Sequence, residues 1–411
     1  MGLRVQDRGR SARWLTSTVF GIGMASLFSD LSHESVTAVL PALLASMGVA
    51  AAALGTIEGV ADGLSSAAKL YGGWWTDRLH RRKPLCALGY GMMAIATGVI
   101  AVATAWPLVL IGRGLAWIAR GIRTPARKAL LAEAVTPQTY GRAFGFERTM
   151  DTLGAVIAPL ATLALLTLGL SHRDVLWISV LPALLAVAAI LLLVRETDNR
   201  TPSPHPFLAS LRGLPRNFTG FLYGVGVFGA GDFAHSLMIL YAVTELTPRF
   251  GAARAATISV GLYALHNIVY AGISYPIGVL ADRMNKRVLL AFAYAAGALT
   301  ALFLALNPNS LTALAAVFIL GGAYVGMEET LEDSIAAELL PDVHRGTGFG
   351  TMAVVNGGGD FVSSLTVGWL WATIGPGAGF GFSFVLMITG ATLVWTMRNP
   401  IRRRPDQEST S

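Results

Sequence analysis

Runs of about 20 apolar residues recur along the whole of this chain, and each can cross a hydrocarbon core roughly 30 Å thick as a helix. Lipid offers no hydrogen-bond partner to an open strand, so a chain patterned in this way folds as helices. Composition agrees. Of the 411 residues 54% are hydrophobic and 13% charged, whereas a soluble domain carries about 25% charge.

Pro and Gly punctuate the joints between apolar runs, at Pro84, Pro107, Pro137, Pro308, Pro341 and Pro376. The pattern predicts six spans at 14–40, 50–73, 84–104, 107–132, 142–169 and 174–194. Six more are expected at 216–243, 255–281, 286–306, 310–339, 346–373 and 376–397. The first apolar run is long and contains Asp30, His33 and Glu34, so it reads as a retained span and not a removed signal peptide. The expected organisation is an N-terminal six-helix bundle over 1–194, a linker over 195–215, a second six-helix bundle over 216–398 and a tail over 399–411. The linker is polar and rich in proline, with a short surface helix expected around Phe207 to Leu211.

The net charge is +7, and its location matters more than its sum. Basic residues gather in the N-terminal arm, after the second span (Arg78, Arg81, Arg82, Lys83), in the linker, after the eighth span (Arg283, Lys286, Arg287) and in the tail. The loops at 46–53, 104–107, 307–311 and 374–379 contain no Lys or Arg. The positive-inside rule then puts both termini in the cytoplasm. Topology explains the basic residues, so a nucleic-acid partner is not expected. Cys86 is the only cysteine, which leaves neither a disulfide framework nor a cysteine zinc site.

The halves repeat each other. Gly73-Trp74-Trp75-Thr76-Asp77-Arg78-Leu79-His80-Arg81-Arg82-Lys83 returns in weaker form from Gly278 to Arg287. Asp30-Leu31-Ser32-His33 is echoed by Asp232-Phe233-Ala234-His235, and the segment from Tyr140 to Gly145 by that from Arg345 to Gly350. A duplicated six-helix unit with a midplane cavity between the copies is the geometry of secondary transporters.

These motifs resemble the major facilitator superfamily. The Gly-x-x-x-Asp-Arg-x-x-Arg-Arg loop carries most of the likeness. Arg113 with Gly121 and Pro125-Ala126 resembles the family's second motif, and Gly154-x-x-x-Ala158-Pro159 a degenerate antiporter motif with Ala where the family has Gly. The resemblance implies two facing bundles with spans one, four, seven and ten lining the cavity. More narrowly, Asp30 to Glu34, Ile57 to Asp62 and Gly121 to Lys128 look similar to the nickel-resistance permease branch, although the tail here lacks that branch's histidines.

Ionisable groups inside spans are costly and usually functional. Asp30, His33, Glu34 and Thr37 share one helical face. With Asp232 and His235 opposite, Asp30 and His33 are candidate ligands for a first-row divalent metal, for which protons would compete. The plainer alternative is that each Asp bonds a neighbouring helix and each His a backbone carbonyl. Glu58 and Asp62 are further candidate proton carriers, with an ion pair to Lys69 as the alternative. Arg120, Arg123, Arg127 and Lys128 in the fourth span and Glu328, Glu329, Glu332 and Asp333 in the tenth suggest a gate that closes by ion pairing. Asp77, Arg78 and Arg113 join that switch through their motifs; the arginines could instead bind an anionic substrate. Glu147 and Asp77 are expected to meet basic residues near the cytosolic surface, and His266 with Asn267 to be a packing pair. Trp74, Trp75, Trp117, Phe228 and Tyr324 are candidate lining for an organic substrate.

The chain has no Gly-x-x-x-x-Gly-Lys-Ser/Thr loop, no His-Glu-x-x-His and no Gly-x-Ser-x-Gly, so neither ATP-driven transport nor hydrolysis is expected. The sequence therefore predicts an all-α, twelve-span secondary transporter and not an enzyme. It is expected to be monomeric, without cofactor, in a bacterial inner membrane, with lipid, protons and a small solute or metal ion as partners. Proton-coupled efflux of a divalent transition metal such as nickel is the first expectation, and efflux of small organic molecules the second.

Overall fold

The computed structural model describes residues 14–47, 51–196 and 202–397, except for the side chains of 41–42, 45–46 and 51–63. The side chains of Glu58 and Asp62 thus lie outside the described residues, as do the N-terminal arm and the tail.

Six long helices form from the first half: α1 (Ser17–Ser46), α2 (Ala51–Arg78), α3 (Lys83–Val102), α4 (Trp106–Glu133), α5 (Tyr140–Thr167) and α6 (His172–Leu193). The linker contributes the short α7 (Phe207–Arg212), close to its expected position. The second half gives α8 (Arg216–Gly229), α9 (His235–Phe250), α10 (Ala252–Ala281), α11 (Lys286–Ala305), α12 (Leu311–Leu339), α13 (Arg345–Thr373) and α14 (Pro376–Thr396). No strand occurs among the described residues. The protein is an all-α, multi-pass integral membrane protein of twelve spans.

The seventh span differs from its expectation. Instead of one helix over 216–243, it is two helices, of 14 and 16 residues, separated by a turn at 230–234. Gly229-Ala230-Gly231-Asp232 explains the interruption: two glycines weaken the helix and an aspartate competes for backbone N–H groups. The turn is held by Gly231 N donating to Phe228 O and by Ala234 N donating to the Ser364 hydroxyl of α13. The second segment runs on to Phe250 because the polar Thr244, Glu245 and Thr247 remain helical past the apolar run.

Seven of the long helices, α3, α5, α6, α10, α11, α12 and α14, qualify as spans on length and apolar composition alone. Among the others, α4 carries Arg113, Arg120, Arg123, Arg127 and Lys128, and α8 and α9 are each too short to cross singly.

Within the first half α1 packs on α5 and α6, α2 on α4, and α3 on α4 and α6. Within the second, α10 packs on α9 and α12, α11 on α12 and α14, and α8 on α13 and α14. The two sets meet mainly along α2 with α13 and α5 with α10. Glycines permit that approach: a Cβ on Gly346 would strike the Gly73 carbonyl oxygen, and one on Gly278 would strike that of Gly141. Small residues let membrane helices close to backbone contact.

Candidate functional site: latches, ion pairs and a group of acids

The repeated loops end in matching latches. Asp77, at the end of α2, accepts from Gly346 N at 2.8 Å and Thr347 N at 2.7 Å, which are first-turn donors of α13. Asp282, just past α10, accepts from Gly141 N at 2.8 Å and Arg142 N at 3.2 Å in the first turn of α5. First-turn amides have no intrahelical acceptor, and a carboxylate there also meets the positive end of the helix dipole. Each half thus grips a helix of the other.

The same end is laced by ion pairs across the halves. Lys128 of α4 meets Asp333 of α12 at 2.5 Å, and Arg148 of α5 meets Glu329 at 3.1 Å and Asp333 at 3.6 Å. Arg82 is fully buried and binds Asp77, Glu133 and the Asp342 carbonyl. Thr149 donates to the Ala271 carbonyl and Arg345 to the Tyr140 hydroxyl. All of these contacts lie in the parts of α4, α5, α10, α12 and α13 nearest the basic loops.

Of the expected gate, Lys128, Glu329 and Asp333 do pair across the halves, with Arg148 as the second cation, while the remaining candidates are engaged elsewhere. Arg120 stays in its own half, 3.3 Å from Asp30. Arg123 is 1% exposed and lies over the ring of Tyr90, away from α12. Arg78 is exposed and stacks on Trp74; Arg82 takes the place beside Asp77. Arg113 is buried between Thr37 and Trp117. Of the expected gate acids Asp333 meets cations of the other half, whereas Glu332 accepts from Tyr294 and Asn356 of its own half. Sequence reasoning missed Arg148, which lies at the start of the fifth span beside Glu147. Arg127 bridges Glu147 at 2.9 Å and Asp151 at 3.2 Å, so Glu147 does meet a basic residue, on α4 and not in a loop.

The expected four-ligand metal set is not assembled. Asp30 is engaged by Arg120, and the His33 ring meets Trp117 edge-on at 5.2 Å. Asp232 accepts from the Tyr324 hydroxyl at 2.9 Å, and His235 packs on His266 at 4.8 Å between ring centroids. Among the described residues no three of His, Cys, Asp or Glu come close enough to share a metal ion. The two Asp-x-x-His segments sit on different halves, each engaged within its own half. His266 is less isolated than a packing residue, since His235 and Tyr263 both lie against it.

What the second half does assemble is a group of acids. Asp232 in the break of the seventh span, Glu328 and Glu332 on α12 and Asp360 on α13 act on one another as like charges. Lys and Arg in the spans of this half occur only near helix ends: none lies at 217–248, 255–282, 288–344 or 346–397. The group instead receives neutral donors, Tyr324 on Asp232, and Tyr294 and Asn356 on Glu332. Asp360 is exposed, and Lys69 of α2 is a cation that acts on it across the halves. Trp117 of the first half packs against His33 and lies under the guanidinium groups of Arg113 and Arg120. Phe228 is buried against Tyr294, 3.7 Å between centroids, and Trp74 and Trp75 lie at the basic-loop end.

Residues 22–265 and 218–411 each match the Major Facilitator Superfamily. The chain belongs to that superfamily, a family of secondary transporters. An uncharacterised MFS-type transporter of Methanocaldococcus jannaschii is 27% identical over 95% of this chain and 97% of its own length. An uncharacterised protein of Mycobacterium tuberculosis is 26% identical over 87% of each chain. Among solved structures the human organic anion transporter MFSD10 superposes with a TM-score of 0.72, at 16% identity, covering 92% of this chain and 99% of that one. A superfamily fold explains the pairing of α2 with α13 and α5 with α10: the duplicated units exchange equivalent contacts about a pseudo-two-fold axis.

Proposed function

We propose that this superfamily member is a proton-coupled exporter of small organic cations, residing in a prokaryotic plasma membrane with both termini cytoplasmic. The observation that carries the reading is the acid group Asp232, Glu328, Glu332 and Asp360, set in spans whose only Lys and Arg lie near their ends. Crowded carboxylates out of water repel one another, and protons or a cationic cargo relieve that repulsion. The two occupants compete for one site, and competition of that kind makes an exchanger: protons load as cargo leaves.

The break in the seventh span supports the same reading. Unwound backbone at membrane depth is tolerated where it lines a cavity, and interrupted helices of transporters hold their binding sites. With the basic-loop end cytoplasmic, the latches and ion pairs close the cytoplasmic side, and the acids await protons from outside. Opening the cytoplasmic side breaks Lys128–Asp333 and Arg148–Glu329, pairs suited to switching because their net worth is small while each is intact. The nickel reading loses its motive, since the mixed imidazole and carboxylate set that favours such metals is not formed.

The test is flux. Protein reconstituted in liposomes with an imposed pH gradient should move tetraphenylphosphonium against protons, and Asp232→Asn and Glu328→Gln should lose gradient-dependent movement. Nickel, run in parallel, should not move. Gradient-independent behaviour toward both cargoes would overturn the reading.

A further inference from the structure

At middle depth in the second half, away from the ion pairs, two imidazole nitrogens are buried with no hydrogen-bond partner: Nε2 of His235 and Nδ1 of His266. Buried polar atoms are rarely left so, and each such case calls for an explanation. The rings lie edge to face, 4.8 Å between centroids and 63° between planes. His266 is 1% exposed, and its Nε2 is the nitrogen left to face the Phe318 backbone carbonyl, since Nδ1 has no partner. A hydrogen bond at one ring nitrogen commonly fixes the other as a metal ligand.

A third soft group stands at the same place. Met238 lies one turn beyond His235 on α9 and is 1% exposed. A Cβ built on Gly321 of α12 would lie 3.1 Å from the Met238 methyl and 3.1 Å from His266 Nδ1. The lack of a side chain at Gly321 lets the α12 backbone come close to both the Met238 side chain and the imidazole. Tyr263 stacks on His266 at 5.7 Å and lies 6.4 Å from His235, walling the third side.

We propose that His235 Nε2, His266 Nδ1 and the Met238 thioether form a site for a soft monovalent cation, Cu(I). Among the described residues no Asp, Glu or Cys completes a trio with the two histidines, so the ligands are neutral and the bound charge is uncompensated. A single positive charge costs less to bury than a double one. Thioether and imidazole donors select Cu(I), whereas Ni(II) and Zn(II) favour more or harder ligands. His235 opens α9 directly after the turn at 230–234, so the cation would tie the interrupted span to α10. The site does not rest on the organic-cation reading.

Purified full-length protein, competed against the Cu(I) chelator bicinchoninate, should take up one Cu(I) per chain, and Ag(I) should displace it. X-ray absorption should show nitrogen and sulfur neighbours. His266→Ala should weaken binding by at least ~100-fold. Met238→Leu, which keeps the side-chain volume, should weaken it ~10-fold and remove the sulfur neighbour, with the melting temperature of the metal-free protein unchanged. Wild-type protein that takes no more Cu(I) than His266→Ala, or a sulfur neighbour that survives Met238→Leu, would overturn the proposal.

Discussion

The two halves descend from one pattern yet treat charge differently. In the first half the buried acids have cations: Asp30 has Arg120, Glu147 and Asp151 have Arg127, and Asp77 has Arg82. In the second half Asp232 and Glu332 have only tyrosine and asparagine donors, and Glu329 and Asp333 borrow Arg148 and Lys128 from the other side. The difference separates two uses of intramembrane charge. Paired charges hold one bundle in shape, and unmatched acids leave the other ready to take a cation.

The largest expected effect follows from that contrast. Arg127→Met leaves Glu147 and Asp151 short of a cation in a buried site and should cost about 3–5 kcal/mol, read as a lowered melting temperature in detergent. Glu328→Gln should leave melting unchanged or raised while gradient-driven transport falls by at least ~100-fold. Equal destabilisation by both would erase the distinction between the halves.

The next effect tests the symmetry of closure. Gly346→Val and Gly141→Val each insert a side chain where backbones touch. Both should prevent the basic-loop end from closing, seen as ready alkylation of a cysteine placed at Thr149 in an otherwise cysteine-free protein. Blocking by only one of the two would show that the latches are not equivalent.

A smaller asymmetry is expected between the latch carboxylates. Asp282→Asn should cost about 1 kcal/mol, the scale of a carboxylate at a helix N-terminus. Asp77→Asn should cost more, about 2–3 kcal/mol, because the Arg82 that loses its carboxylate is fully buried, whereas the Arg142 beside Asp282 is partly exposed to solvent. Urea or thermal titration of the two variants side by side measures the difference. The smallest effect belongs to Tyr324→Phe, which removes one donor from Asp232. It should shift cargo affinity ~3-fold to 10-fold without abolishing exchange.

Much of the fold was legible because span length and apolar composition are fixed by the bilayer and not by tertiary detail. The helices α10, α11 and α12 begin and end within a few residues of their expected limits. The break at 230–234 was written in Gly229, Gly231 and Asp232, but an apolar window averages over four such residues. The site was less legible. Helical periodicity put Asp30, His33 and Glu34 on one face, yet the partner of Asp30 depended on how far α1 slides along α4, which a single sequence does not encode. Arg120 consequently looked like half of a gate. Arg148 was passed over because its role depends on α5 lying against α12. The absence of Lys and Arg from the interior of the second-half spans was available in the sequence, and it is the signal that would have marked the acid group.

The most direct test is proton release on cargo binding. Wild-type protein in weakly buffered detergent should release protons when tetraphenylphosphonium is added, and the release should vanish in the Asp232→Asn/Glu328→Gln double variant. Binding without release, or release that the double variant retains in full, would contradict the account.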